Sequence, residues 1–153
     1  MLFMSKETES AELIMRLFDL RRDTLMREGR DWFVRFYPEN GQDIIQAMVD
    51  PKTTGYYQMV VSYWDMAASF VNRGAIDREM FLETNGESLM VFAKIEPFLD
   101  EVRTALSDAS YAKNLETLAM SLPDAKKALA ARREMINKMM EARASLAESA
   151  YSR

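Results

Sequence analysis

From Tyr56 to Asn72 apolar residues run around most of a helical circumference, and no other stretch limits the fold as much. Residues 57, 60, 61, 64, 67, 68 and 71 form one stripe, and 56, 59, 63, 66 and 70 form a second beside it. Gln58, Ser62, Asp65, Ser69 and Asn72 share one narrow polar face. A helix this apolar is stable only when several neighbours cover it, so the stretch predicts a central buried helix over about 56–73. Tyr63 and Trp64, once buried, each need a partner for the polar atom. The polar face is read as the side reaching water, in preference to an internal cavity with Asp65 as its charge.

The corner that follows is written in capping chemistry. Gly74 suits the left-handed position that ends a helix, and Asp77 suits the N-cap of the next. Ile76 precedes that cap and Phe81 occupies the fourth helical position, the spacing of a hydrophobic staple. A calcium-binding loop is rejected, because its ligand positions would hold Ser69, Val71, Arg73 and Met80. Thr84 and Glu87 form a capping-box pattern ahead of a helix whose Phe92, Ile95, Leu99, Val102 and Leu106 share one face. Pro97 interrupts that helix. It removes one backbone bond and displaces the Ala93 carbonyl, so a kinked or broken helix is expected.

Trp64, Gly74, Ile76, Asp77, Phe81, Gly86, Pro97 and Arg103, in that order and spacing, resemble a family of small bacterial helical proteins described as a domain of unknown function. The likeness covers roughly the middle third of the chain and rests on caps and packing positions. It implies a helical fold and a bacterial or phage source, and it carries no activity.

The remaining composition agrees with helices. Five glycines and four prolines are few for 153 residues, and no run reads as a strand. Cysteine and histidine are both absent. Disulfides, thiol nucleophiles, Cys/His zinc sites, a Ser–His–Asp triad and a His-containing di-iron bundle therefore have no residues to be built from. No cofactor or metal site is assigned. The net charge of −4 is unevenly placed. Residues 36–125 hold 14 acids and 6 bases, whereas 126–153 hold 3 acids and 7 bases. A basic tail on an acidic body is expected to pack on its own chain or a second copy, and nucleic acid is not an expected partner. No secretory signal is visible in Met1–Met4 and beyond, and no segment has the length of a membrane span. A cytoplasmic location is the expectation.

Elsewhere the pattern predicts a first helix from about Ser5–Ser10 to Glu28 with Gly29 as its stop, and Arg16, Arg21, Arg22 and Arg27 on a solvated, salt-bridged face. Arg30–Tyr37 reads as a short aromatic helix plugging one end of the core, and Gln42–Val49 as another helix. Thr53 or Thr54 is expected to cap the central helix. Tyr111–Met120 reads as a modest helix, and Ser121 as the cap of a last helix running from about Pro123 to Ser149, on the order of 40 Å long. Leu122, Ala125, Leu129, Arg132, Ile136, Met139, Arg143 and Leu146 follow heptad spacing there. The fold expected is all-α: a single domain over 1–153, an irregular bundle with a central buried helix, a kinked helix near Pro97 and a long C-terminal helix, 124–150, whose second half protrudes.

Three functional readings compete. The favoured one is a non-enzymatic interaction module that self-associates or binds another protein through the C-terminal helix. Leu129, Met135, Ile136, Met139, Met140 and Leu146 are its candidate contacts, because methionine adapts to irregular partner surfaces. The second is a magnesium-dependent hydrolase, since hard Mg²⁺ prefers carboxylates and needs neither His nor Cys; Glu79, Glu83 and Glu87, with Glu96 and Asp100, are the acids in question. The third is a small apolar-ligand pocket between the Trp64 helix and the Pro97 helix.

Overall fold

The computed structural model describes residues 3–152; Met1, Leu2 and Arg153, which the expected 1–153 domain includes, lie outside the described residues. Among these there are nine α-helices and no strand. They are α1 (Lys6–Leu20), α2 (Thr24–Arg35), α3 (Gly41–Val49), α4 (Thr54–Asn72), α5 (Arg78–Thr84), α6 (Glu87–Ile95), α7 (Leu99–Leu106), α8 (Lys113–Met120) and α9 (Ala125–Tyr151). A 3-10 turn, Glu96–Phe98, joins α6 to α7.

The expected central helix is α4. It touches α2, α3, α5, α6 and α8. Tyr57, Val60, Val61, Tyr63, Trp64, Ala67, Ala68 and Val71 are buried on it. Each large polar ring finds a partner as burial requires. Trp64 donates Nε1–H to Glu87 (3.3 Å), Tyr63 donates its hydroxyl to the Leu17 carbonyl (2.5 Å), and the hydroxyls of Tyr57 and Tyr111 pair. The outer part of the second stripe, Met66 and Phe70, stays exposed.

Two junctions follow the sequence closely. Gly74 has φ +77°, and the bonds Gly74 N–H to Val71 O (3.0 Å) and Ala75 N–H to Phe70 O (2.9 Å) close α4 in a Schellman motif. Asp77 caps α5 by accepting from Met80 N–H (2.9 Å), with Ile76 and Phe81 both buried beside it. At Pro97 the expected interruption is the 3-10 turn. The Ala93 carbonyl freed there accepts a hydrogen bond from Arg133 on α9 (3.0 Å). The same guanidinium binds Glu96 (3.1 Å), and Lys126 binds the other Glu96 oxygen (2.9 Å). The proline break is thus where α9 is fastened.

Other junctions differ from expectation. The first helix stops at Leu20, and Asp23 starts a new one by accepting from Leu25 N–H (3.0 Å) and Met26 N–H (3.2 Å). Aspartate competes for backbone donors in this way and breaks a helix whose apolar period runs on unbroken. Gly29 is not a stop but a contact inside α2: a Cβ there would lie 3.0 Å from Met59 Cε and 3.6 Å from Tyr56 Cα, so its absence lets α2 close on α4. Arg30–Arg35 is the end of α2, with Phe36 and Tyr37 beyond it, not a separate helix. The Thr84–Glu87 capping box does not form: Gly86 precedes α6, Thr84 donates to Met80 O, and Glu87 is drawn away by two arginines. Thr53 precedes α4 but donates to Ala47 O, and Ser121 donates to Leu118 O, so neither caps the next helix by its side chain. Asp65 is engaged across the helix packing. Its carboxylate accepts from Leu115 N–H (3.0 Å) and Asn114 Nδ2 (2.9 Å), closing the start of α8.

Candidate functional site

The C-terminal half of α6 reads Val91, Phe92, Ala93, Lys94, Ile95, and all five are buried. A lysine in such a run must satisfy its ammonium inside the protein. Lys94 does so at the C-terminal end of α2, donating to the carbonyls of Phe33 (2.7 Å), Val34 (3.1 Å) and Phe36 (2.8 Å). They lie at the helix end, where carbonyls lack their usual i+4 donors (the Phe33 oxygen also accepts from Phe36 N–H, 3.2 Å), and the positive charge suits that pole. Burial, and then the charge of Arg143, push its pKa from the ordinary 10.5 down to about 8. All three ammonium protons are engaged, so no lone pair is presented to a substrate while the three carbonyls hold, and the geometry is that of a clamp.

Next to this clamp α9 crosses α6 and leaves a cavity of about 160 Å³. Phe33 and Val34 of α2, Met90 and Val91 of α6, and Met139 and Met140 of α9 give it apolar walls. That volume is close to the roughly 150 Å³ at which an apolar cavity admits one benzene ring. Arg30, Glu87, Lys94 and Arg143 supply its only charges among the described residues.

Glu87 forms the wall of the cleft toward the bundle centre. Arg30 grips it in a fork, Nε to Oε1 (2.9 Å) and Nη2 to Oε2 (2.6 Å), while Arg21 reaches Oε2 (3.3 Å) and Trp64 Nε1 reaches Oε1. Burial pushes the Glu87 pKa up, but Arg30's hydrogen bonds and charge, with the charge of Arg21, together outweigh it and leave the carboxyl below its ordinary value. Through this one side chain α1's end, α2, α4 and α6 are tied together.

The residues singled out from sequence divide by position. Leu129 and Ile136 are buried on the side of α9 that meets α6 and α8. Met140 is half-buried, while Met135, Met139 and Leu146 are exposed, Leu146 to 71 %. Ile136, Met139 and Met140 meet in the cleft wall; Leu129, Met135 and Leu146 do not line it. From Glu141 to Ser152 every residue is exposed. Trp64, Gly74, Ile76, Asp77, Phe81 and Pro97 all stand at the packing and capping positions described above. Glu79 and Glu83 lie exposed on α5, Asp100 is exposed on α7, and Glu87 and Glu96 are bonded to basic side chains. Among the described residues no group of three or more Asp or Glu side chains is placed to hold a metal ion. The apolar cavity lies between α2, α6 and α9, away from the expected place between the Trp64 and Pro97 helices. Lys94 and Arg30 are the site residues that sequence reasoning missed. The signal for Lys94 was present, a single charge inside an apolar helical run.

No helix among the described residues is long and apolar enough to cross a membrane. A family model described as a domain of unknown function, DUF4760, matches residues 7–122, well beyond the middle third of the chain, and the matched part ends before α9 begins. No curated protein and no solved structure matches the chain.

Proposed function

Because the chain belongs to the DUF4760 family, whose description carries no activity, we propose that it is a non-enzymatic interaction module and that it self-associates through the outer half of α9. The observation that carries this reading is the exposure of α9 after Met140. Glu141 to Tyr151, eleven consecutive residues, are all exposed there, with only Arg143 turned back to the cleft, yet they remain helical. A helical segment without tertiary packing sits near balance in water and gains most of its stability from a covering surface. Met135, Met139 and Leu146 follow one another at helical spacing on the exposed side and lead out from the mouth of the cleft. Each contributes about 1.5–3 kcal/mol when fully buried against a partner. The outer half carries only Glu141, Arg143 and Glu148 as charges, so its pairing with a second copy rests on the apolar side chains, while the basic residues Lys126 and Arg133 nearer its start are held by Glu96 of the same chain.

Sedimentation velocity over a wide concentration range tests the reading. The protein is expected to shift to a dimer as concentration rises, and Leu146→Glu, at a site with no role in the core, is expected to hold it monomeric. A protein that stays monomeric at every concentration, or one whose association ignores both Leu146→Glu and Met139→Lys, would count against self-association by α9.

A further inference from the structure

The break between α1 and α2 has a second effect. In one straight helix Arg16, Arg21, Arg22 and Arg27 would spread along a solvated face. With the chain turned at Arg21–Asp23, Arg21 and Arg22 come to face Arg27 and Arg30 around a hollow of about 350 Å³, with Phe18 as its fifth lining residue. No acid lines this hollow. Two of the arginines lean on Glu87 from the far side: Arg30 uses Nε and Nη2, and Arg21 uses Nη2, which leaves an Nη1 on each outside those bonds. Arg22 stands 3.8 Å from Asp19 with both side chains mostly exposed, a weak pair in water. Arg27 has no ion-pair or hydrogen-bond partner for its side chain among the described residues, and Arg21 Nε is buried without one. Asp23, the next acid in the turn, is engaged by Leu25 and Met26 N–H.

Four guanidinium groups gather around one hollow, Arg21 and Arg30 partly buried and Arg22 and Arg27 exposed to water at its rim, and their combined positive charge favours an anion among them. Glu87 offsets Arg21 and Arg30, Asp19 stands near Arg22, and Arg27 is left to water, with no acid within ion-pair distance among the described residues. The guanidinium fork matches the oxygens of a phosphoryl group, and several forks on one anion match its double charge. The hollow is larger than a bare phosphate requires and falls in the range of small-molecule sites. Phe18, 49 % exposed, carries the Arg21 guanidinium over one face of its ring at 5.6 Å and leaves the rest of its apolar surface beside the charge. We propose that the α1–α2 corner binds the phosphoryl group of a small molecule, with Arg27 and Arg22 as its principal ligands and Arg21 and Arg30 completing the ring.

Isothermal titration of the full chain with inorganic phosphate, in a phosphate-free buffer at constant ionic strength, tests this. One saturable site is expected. Arg27→Gln and Arg22→Gln are each expected to weaken it about tenfold or more, as loss of a charge-assisted hydrogen bond does. Arg16→Gln, which removes the same charge from α1 outside the hollow, is expected to leave it unchanged. A nucleoside monophosphate in a parallel titration separates the sources: tighter binding than phosphate assigns an ester whose ring rests on Phe18, and equal binding assigns the free anion. Absence of saturable binding, insensitivity to Arg27→Gln, or an equal loss in Arg16→Gln overturns the proposal. Circular dichroism of each variant shows that the helices are intact.

Discussion

Lys94 is one proton donor set against three carbonyls, and its ionisation carries a signed consequence. Its folded pKa, near 8, lies below the ordinary 10.5. Between those values the unfolded chain holds a proton that the folded chain has released, so this group's contribution to stability increases with pH across that window. Below about 8 both states are protonated, and the contribution is constant and at its least favourable. Lys94→Met strips the end of α2 of three hydrogen bonds and is expected to lower stability near neutral pH by about 2–4 kcal/mol in urea denaturation. The gap between wild type and Lys94→Met is expected to widen from about pH 8 upward; a flat gap would show that the lysine ionises as it does in the unfolded chain. That a charge in an apolar run must matter is legible in the sequence. Its acceptors are not, because they lie 58 to 61 positions earlier and only the packing of α6 on α2 brings them near.

Helix ends divide into those written locally and those decided by the tertiary fold. The Gly74–Asp77 junction could be read residue by residue, since its bonds run between near neighbours and φ > 0 favours glycine. The split of α1 from α2 could not, because hydrophobic period passes through Arg21–Asp23 without a fault and Asp23 served as well for an ion pair as for a cap. Thr84–Glu87 failed in the opposite sense: the motif is present, but charge-assisted bonds from Arg30 and Arg21 outcompete a backbone N–H for the same carboxylate. Pro97 lies between these cases. The displaced Ala93 carbonyl was foreseeable, and its capture by Arg133, 40 residues on, was not. A double-mutant cycle measures that capture. Arg133→Ala is expected to destabilise the wild type by about 1–2 kcal/mol and the Pro97→Ala background by less, since alanine restores an N–H for Ala93. Equal losses in both backgrounds would show that Arg133 acts through Glu96 alone.

Across the whole molecule, Glu87 is the point at which α1's end, α2, α4 and α6 share one charge. Its folded pKa lies below the ordinary 4.5, so its contribution is fully present above 4.5 and is lost as pH falls through the lower folded value. Glu87→Gln is expected to lower stability at neutral pH by about 2–4 kcal/mol, because two partly buried guanidinium groups lose their counter-charge. That difference should shrink as pH falls below 4.5, and denaturation curves at a series of acid pH values check it; a difference independent of pH would locate the stabilisation in packing instead. The all-α bundle, its central helix and its long last helix were legible from period and length, whereas the cleft and the arginine ring were not, since both depend on how separate helices cross. The borrowed cap of α8 has a consequence of its own. This helix begins at Ala112 in a left-handed conformation with no cap of its own, and the carboxylate that closes it comes from Asp65, 50 residues earlier. Its start is therefore set by a long-range contact: the two hydrogen bonds that close it exist only when α4 and α8 are packed together, so the beginning of this helix and the docking of its buried Leu115 and Leu118 on the centre stand or fall as one.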